Sequence, residues 1–273
     1  MSNIPLVSVI IPTHNSGEYL ERCLVSLFNQ NFSKFEVIIV DKLSIDSTES
    51  IAKNFDCKFI KLRANERSEQ LNYGVKVSKG KYIYRIDSDF ILEKNVIEEA
   101  YFKCENEGFD AVCIHNTSDS SVSFWAKVRK LERDCYKGDK INVAARFMTR
   151  QVFLKIGGFD SQLFAGEDYD LHNKLLSNSY KIGEIQSKEI HLGEPKTLKE
   201  IVIKHYLYGK NINIFLIKNR KRGFIQLNPL KISYLRNITH FKDSPIISCG
   251  FILYQFVRYS SSILGLINDK FLS

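Results

Sequence analysis

Gly80-Lys81-Tyr82-Ile83-Tyr84-Arg85-Ile86-Asp87-Ser88-Asp89-Phe90-Ile91-Leu92 is the stretch that decides the fold. Aromatic and β-branched side chains between Lys81 and Ile86 suit a pleated, packed surface, so these residues read as a strand. Two carboxylates, Asp87 and Asp89, stand where that strand should stop. On extended backbone, residues i and i+2 point the same way, so both acids can face one site. Anions that close repel each other unless a positive charge joins them. A hard divalent cation, bound through oxygens and itself holding a diphosphate, resolves the repulsion. The plainer alternative is a pair of solvated acids opening a helix near Glu93.

Upstream, the same grammar repeats. Residues 7–11 are a continuous apolar run stopped by Pro12, as expected for a strand covered on both faces. Residues 35–40, Phe-Glu-Val-Ile-Ile-Val, read as a second strand, ending at Asp41, and residues 57–62 as a third. Between them, Tyr19, Leu20, Cys23, Leu24, Leu27 and Phe28 recur at helical spacing, and Asp46-Ser47-Thr48-Glu49 reads as a capping box. Residues 66–78 are a weaker helix that Gly80 ends. The order strand, helix, strand, helix, strand, helix, strand predicts an α/β fold with a Rossmann-like, mostly parallel central sheet. Ligands in such sheets bind beyond the carboxyl ends of the strands. Residues 13–17, Asp41, Asp87 and Asp89 all fall there.

After Asp89 the alternation weakens. Helices are expected over residues 93–106 and 120–136, and strands over 111–114, 142–148 and 180–185. Gly157-Gly158-Phe159-Asp160 is a turn, and Gly166-Glu167-Asp168-Tyr169-Asp170-Leu171 opens a helix. His191 falls in a loop ahead of Glu194 and Pro195, and one basic helix is expected over about 198–219.

With 273 residues and 44% hydrophobic side chains, the chain can bury one large core or two small ones. The six cysteines form no CxxC pair, which disfavours a sulfur-bound metal or a disulfide framework and makes a reducing, cytoplasmic setting the default. The N-terminus lacks the basic region of a signal peptide. Net charge is +8, and residues 196–222 alone carry eight Lys/Arg against one acid, Glu200.

Taken in order, these pieces resemble the family 2 glycosyltransferases of the GT-A fold. The matching segments begin with residues 7–15, Val-Ser-Val-Ile-Ile-Pro-Thr-His-Asn, and with Asp41 followed by Ser47 and Thr48. They continue through Glu66-Arg67-Ser68 with Gln70, Asn72 and Gly74, through Gly80 to Asp89, and through Gly157-Gly158-Phe159-Asp160 and Gly166-Glu167-Asp168. The resemblance implies a catalytic domain over residues 5–195, a nucleoside diphosphate sugar donor, and Mg²⁺ or Mn²⁺. It places Pro12, Thr13, Asn15, Asp41, Arg67, Asp87 and Ser88 at the nucleotide sugar, and Asp89 and His191 at the metal. Asp168 is implied as the general base of an inverting transfer, and Glu167 as a contact to acceptor or donor sugar. Against this, acids in a first helical turn are favoured by the helix dipole alone, and a loop histidine can simply be exposed.

Two departures stand out. Where the family has a small or acidic residue and then Gly after Asp41, this chain has Lys42 and Leu43, which puts the shape of that loop in question. The Gln-x-x-Arg-Trp signature of processive synthases is absent and the single Trp is Trp125, so single sugar addition is expected.

Residues 196–273 pair the basic segment with an apolar tail, 246–267, whose one charge is Arg258. That order predicts peripheral contact with a membrane, where a saccharide or lipid-linked acceptor would be met; a docking or oligomer-forming helix is the plainer alternative. Nucleic acid is not expected, since no binding motif accompanies the basic residues. Two other functions compete. A nucleotidyltransferase would need a Gly-rich loop after the first strand, which Pro12-Thr13-His14-Asn15 is not. A non-catalytic GT-A-like partner in a membrane glycan assembly complex would bind nucleotide sugar without transferring it.

Overall fold

The computed structural model describes residues 4–272. In chain order the elements are β1 (Val7–Thr13), α1 (Leu20–Phe28), β2 (Phe35–Asp41), α2 (Thr48–Ala52), β3 (Lys58–Lys61), α3 (Arg67–Val77), β4 (Tyr82–Arg85) and β5 (Phe90–Leu92). There follow α4 (Val96–Glu105), β6 (Ala111–Ser118), α5 (Phe124–Asp134), β7 (Ala145–Thr149), α6 (Arg150–Lys155), α7 (Glu167–Ser177) and β8 (Ile182–His191). The C-terminal part is helical: α8 (Leu198–Asn211), α9 (Asn213–Leu227), α10 (Ile232–Arg236), a 3₁₀ turn at Ile238–Phe241, and α11 (Pro245–Leu272). Contacts divide the chain into two units. The first comprises Met1–His115, Ala144–Ser161 and Leu171–Ile190; the second comprises Asn116–Val143, Gln162–Asp170 and His191–Ser273.

The first unit is built on an eight-stranded sheet of order β3-β2-β1-β4-β7-β6-β8-β5. β1 is buried along its whole length because its apolar side chains are covered on both faces. It pairs in parallel with β2 and β4, and β2 pairs in parallel with β3. The register sets Thr13 directly opposite Asp41, so the polar ends of β1 and β2 finish side by side. Beyond β4 the sheet continues antiparallel, through β7 and then β6. Leu20, Leu24 and Leu27 of α1 join Val9, Ile11, Val37, Ile39, Tyr84 and Phe147 in one core.

Three local expectations change. The chain leaves β4 after Arg85 and turns at Ser88–Asp89 before β5, so Asp87 and Asp89 do not ride on one extended strand end. The residues read as the start of a helix near Glu93 are preceded by this short strand, Phe90–Leu92. β8 runs on to His191, which therefore ends a strand instead of sitting in a loop. Its polar residues hid the strand, yet Ser187 and Glu189 point inward and are buried, because partners across the core receive them.

In the second unit, α11 packs along α8 and α5. Val128, Ile201, Phe251 and Tyr254 form its core, with Trp125, Tyr234 and Phe241 against it. The α8–α11 contact is very close. A Cβ on Gly209 would lie 1.9 Å from the Ser262 carbonyl oxygen, and one on Gly265 would lie 2.1 Å from that of Tyr206. The single basic helix expected over 198–219 is in fact two, separated at Ile212. α8 is bound to α11 through Gly209, whereas Phe215 of α9 inserts beneath Gly166, and a straight helix cannot serve both contacts. Among the described residues, no helix is long and apolar enough to cross a membrane.

Glu132 is the electrostatic centre of this unit. It is buried, yet it receives hydrogen bonds from Arg258 Nη1 at 2.7 Å, Tyr136 Oη at 2.8 Å and Tyr234 Oη at 2.9 Å, and a further one from Arg129. Burial would raise its pKa, but the Arg258 and Arg129 guanidiniums outweigh that and hold the carboxyl well below its usual range. The one charge of the apolar tail, Arg258, is thus turned inward.

Candidate active site

At the carboxyl end of β1 and β2, Asp41 is fully buried. Its Oδ1 accepts from Thr13 Oγ1 at 2.8 Å and Ser44 Oγ at 2.5 Å, and its Oδ2 from the Ser44 N–H at 2.8 Å. The acid therefore organises the loop that follows it. Asn15 Oδ1 accepts from the Ile45 N–H at 3.0 Å, and the Asn15 N–H donates to Ser44 Oγ at 2.8 Å, so the two loops are stitched together. Leu43 takes a left-handed conformation, φ +51°. The loop keeps a glycine-type backbone although a leucine occupies it, at a steric cost of about 1–2 kcal/mol.

Next along the edge, Arg67 opens α3 and reaches Asp87. Its Nε donates to Asp87 Oδ1 at 2.7 Å, and Nη2 lies 2.5 Å from the same oxygen. Arg146 of β7 approaches Asp87 Oδ2 at 3.8 Å and Glu189 Oε2 at 3.2 Å, with its guanidinium over the Phe90 ring at 4.6 Å. Tyr84 Oη donates to Glu189 Oε1 at 2.6 Å. Burial raises the pKa of Asp87, but the charges of Arg67, Arg146 and Arg85 win and hold it well below the usual carboxylate range. For the fully buried Glu189 burial prevails, and its pKa is raised despite Arg146 and the Tyr84 hydroxyl. Ser88 Oγ donates to Ser16 Oγ at 2.8 Å, closing the Asp87–Asp89 turn against the loop after β1. Asp89 sits in that turn, half-buried.

The structure thus brings Thr13 to Asp41, Arg67 to Asp87 and Ser88 to the residue 13–17 loop, all within the first unit. The positive partner of Asp87 is the pair Arg67 and Arg146. Sequence reading missed Arg146, Glu189 and Ser44. A lone arginine inside the apolar run Ala145–Thr149 was the available signal for Arg146, since a buried charge needs a partner.

Glu167, Asp168 and His191 belong to the second unit. Gly166, at φ +83°, turns the chain into α7, so Glu167, Asp168 and Asp170 occupy its first turn. There the helix dipole favours negative charge. His191 is held by Glu194, with Nδ1 2.9 Å from Oε1. A carboxylate can only accept, so this nitrogen carries the hydrogen. Glu194 in turn accepts from Ser118 Oγ at 2.5 Å and pairs with Arg133 Nε at 3.1 Å. Burial raises its pKa, but the His191 hydrogen bond and the charges of Arg133 and Arg129 hold it well below the usual range.

Residues 8–174 match the family described as Glycosyl transferase family 2. The chain belongs to glycosyltransferase family 2. Over 259 residues it is 26% identical to the glycosyltransferase GlyG of Streptococcus pneumoniae, covering 89% of this chain and 80% of GlyG. It is 24% identical over 267 residues to the chondroitin synthase of Escherichia coli, covering 90% of this chain but only 35% of that longer protein. Its fold is also that of the mannosyltransferase PcManGT from Pyrobaculum calidifontis, solved with GDP-Man and Mn²⁺. The TM-score is 0.63 at 15% identity, with 97% of this chain and 87% of that one covered. This family 2 glycosyltransferase therefore has the GT-A fold, and its matched region contains Asp41, Arg67, Asp87, Asp89 and Asp168.

Proposed function

We propose that this glycosyltransferase moves one sugar from a nucleoside diphosphate sugar to a saccharide or lipid-linked acceptor, with inversion, using Mg²⁺ or Mn²⁺. The observation that carries the reading is the convergence at the carboxyl end of the parallel strands. Thr13, Asp41, Arg67, Asp87 and Ser88 are knitted there into one polar edge by hydrogen bonds.

In this reading Pro12, Thr13 and Asn15 with the loop held by Asp41 receive the nucleoside. Arg67, beside Asp87, meets the diphosphate, and three guanidiniums acting on Asp87 favour a polyanion there. Asp89 and His191 are the residues that would hold the metal. Carboxylate oxygen and imidazole nitrogen suit Mn²⁺, and Glu194 orients the His191 ring through Nδ1. Among the described residues no group of three or more His, Cys, Asp and Glu could hold a metal alone. The ion would take its remaining ligands from phosphate oxygens and water. Bound there, it would supply positive charge to the departing nucleoside diphosphate.

Asp168 takes the proton of the acceptor hydroxyl as that oxygen attacks the sugar, and Glu167 contacts acceptor or donor sugar. In this reading the protein works in the cytoplasm, at the inner face of a membrane. The test pairs two substitutions. Asp89→Ala and Asp168→Ala should each abolish transfer, but only Asp89→Ala should weaken metal-dependent donor binding, read by thermal shift with nucleotide sugars and Mn²⁺. Equal loss of donor binding in both variants rejects the assigned roles.

A further inference from the structure

The second unit carries a surface that the transfer reaction does not use. The inner face of α11, with Gly250, Phe251, Tyr254 and Ser261, is buried, while its outer face shows Ile252, Phe256, Ile263 and Leu264 to water. Among the described residues of α11 the one charge, Arg258, is committed to Glu132. α9, which kinks at Arg220 between two helical stretches, also mixes buried and exposed positions. Phe215, Gly223 and Gln226 are buried, whereas Ile217 and Phe224 are 70% and 68% exposed, amid exposed Lys218, Lys221 and Arg222. Leu235 and Arg236 of α10 continue the pattern. Residues 196–268 hold twelve Lys/Arg and two acids, Glu200 and Asp243.

We infer that the outer face of α9–α11 docks on an anionic lipid bilayer, lying in its interface. Exposed apolar side chains interleaved with cations match the acyl boundary and the charged headgroups together. A second copy of the chain would bring like charges face to face, which disfavours self-association through this surface. The inner face of α11 is taken up by α5 and α8, so lipid cannot surround the helix.

The same surface is tied to the turn that carries Asp168. From α9, Asn219 Nδ2 donates to Asp170 Oδ1 at 2.9 Å, and the exposed Lys218 Nζ donates to Gln162 Oε1 at 2.9 Å. A Cβ on Gly166 would lie 2.7 Å from the Phe215 ring, so the turn rests on α9. A helix lying on the bilayer thus holds the acceptor-side acid, and the acceptor class this geometry favours is one anchored in lipid. This last step rests on the reading of Asp168 as the base; the docking itself does not.

The test is cosedimentation of the full-length protein with vesicles of phosphatidylcholine, with or without phosphatidylglycerol. The wild type should bind the anionic vesicles at low salt and much less of it the neutral ones. Ile217→Glu/Phe224→Glu should weaken binding by roughly tenfold or more, with hydrolysis of nucleotide sugar in solution unchanged. A wild type that stays in the supernatant, or a double variant that binds as well, overturns the inference. So does a wild type that sediments in the ultracentrifuge as a dimer which the double variant abolishes, without vesicle binding. Vesicle binding by a protein with no hydrolysis or transfer would leave the docking standing and reject the proposed reaction.

Discussion

Arg146→Met removes a cation that lies within 4 Å of both Asp87 and Glu189. Methionine is long and unbranched, so it fills much of the same space over Phe90. Glu189, with no exposed surface, keeps the Tyr84 hydroxyl and the field of Arg85. It then has two options. Remaining charged without its partner costs about 3–5 kcal/mol. Taking a proton at pH 7 from an ordinary carboxyl pKa of 4.5 costs at most about 3.4 kcal/mol, being 2.5 pH units at about 1.36 kcal/mol each, and less here because burial has already raised that pKa. The second route is cheaper, so the expected loss at pH 7 is about 2–3 kcal/mol. A carboxyl whose folded pKa is raised stabilises the fold below its unfolded pKa and loses that contribution as pH rises through the folded value. The deficit of the variant should therefore shrink as pH falls from 7 to 5. Asp87 is not expected to mask this, since Arg67 still holds it and its lowered pKa places its own loss at more acid pH. Urea unfolding followed by circular dichroism at both pH values measures the effect. Adding Glu189→Gln should recover most of it at pH 7. A deficit that is the same at both pH values, and untouched by Glu189→Gln, refutes the account of this buried pair.

Two further substitutions probe the backbone. Leu43→Gly relieves a left-handed leucine, worth about 1–2 kcal/mol, against about 0.5–1 kcal/mol for the added freedom of the unfolded chain. Thermal unfolding should show a small gain in stability, and a clear drop would mean that the exposed Leu43 side chain contributes packing after all. Gly265→Ala places a methyl 2.1 Å from the Tyr206 carbonyl oxygen. It should cost about 1–3 kcal/mol and speed amide exchange in α8 and α11; unchanged exchange there would show that the helices separate without cost.

Much of the fold was legible in the sequence wherever a local pattern answers to a local cause. The run at 7–11 suited an interior strand and 35–40 read as a second strand, and their alternation with amphipathic helices pointed to the parallel order. Asp41, Asp87 and Asp89 were visible as acids at strand ends, and Gly166-Glu167-Asp168 as a helix opening. What the sequence could not show was who answers each charge. Asp87 and Asp89 looked like a pair that needed an external cation, yet Arg67 and Arg146 come to Asp87 from 20 residues upstream and from another strand. Glu189 was not singled out in the sequence and is buried, because Tyr84, 105 residues away in the chain, donates a hydrogen bond to it in the core. The same holds for Arg258, the lone charge in an apolar tail, which folds inward onto Glu132 and so leaves the outer face of α11 apolar. Hydrophobic period is set by neighbours in sequence, whereas the cost of a buried charge is settled by neighbours in space. Strand and helix could therefore be read from the chain alone, and the partners of its charged groups only from the tertiary structure.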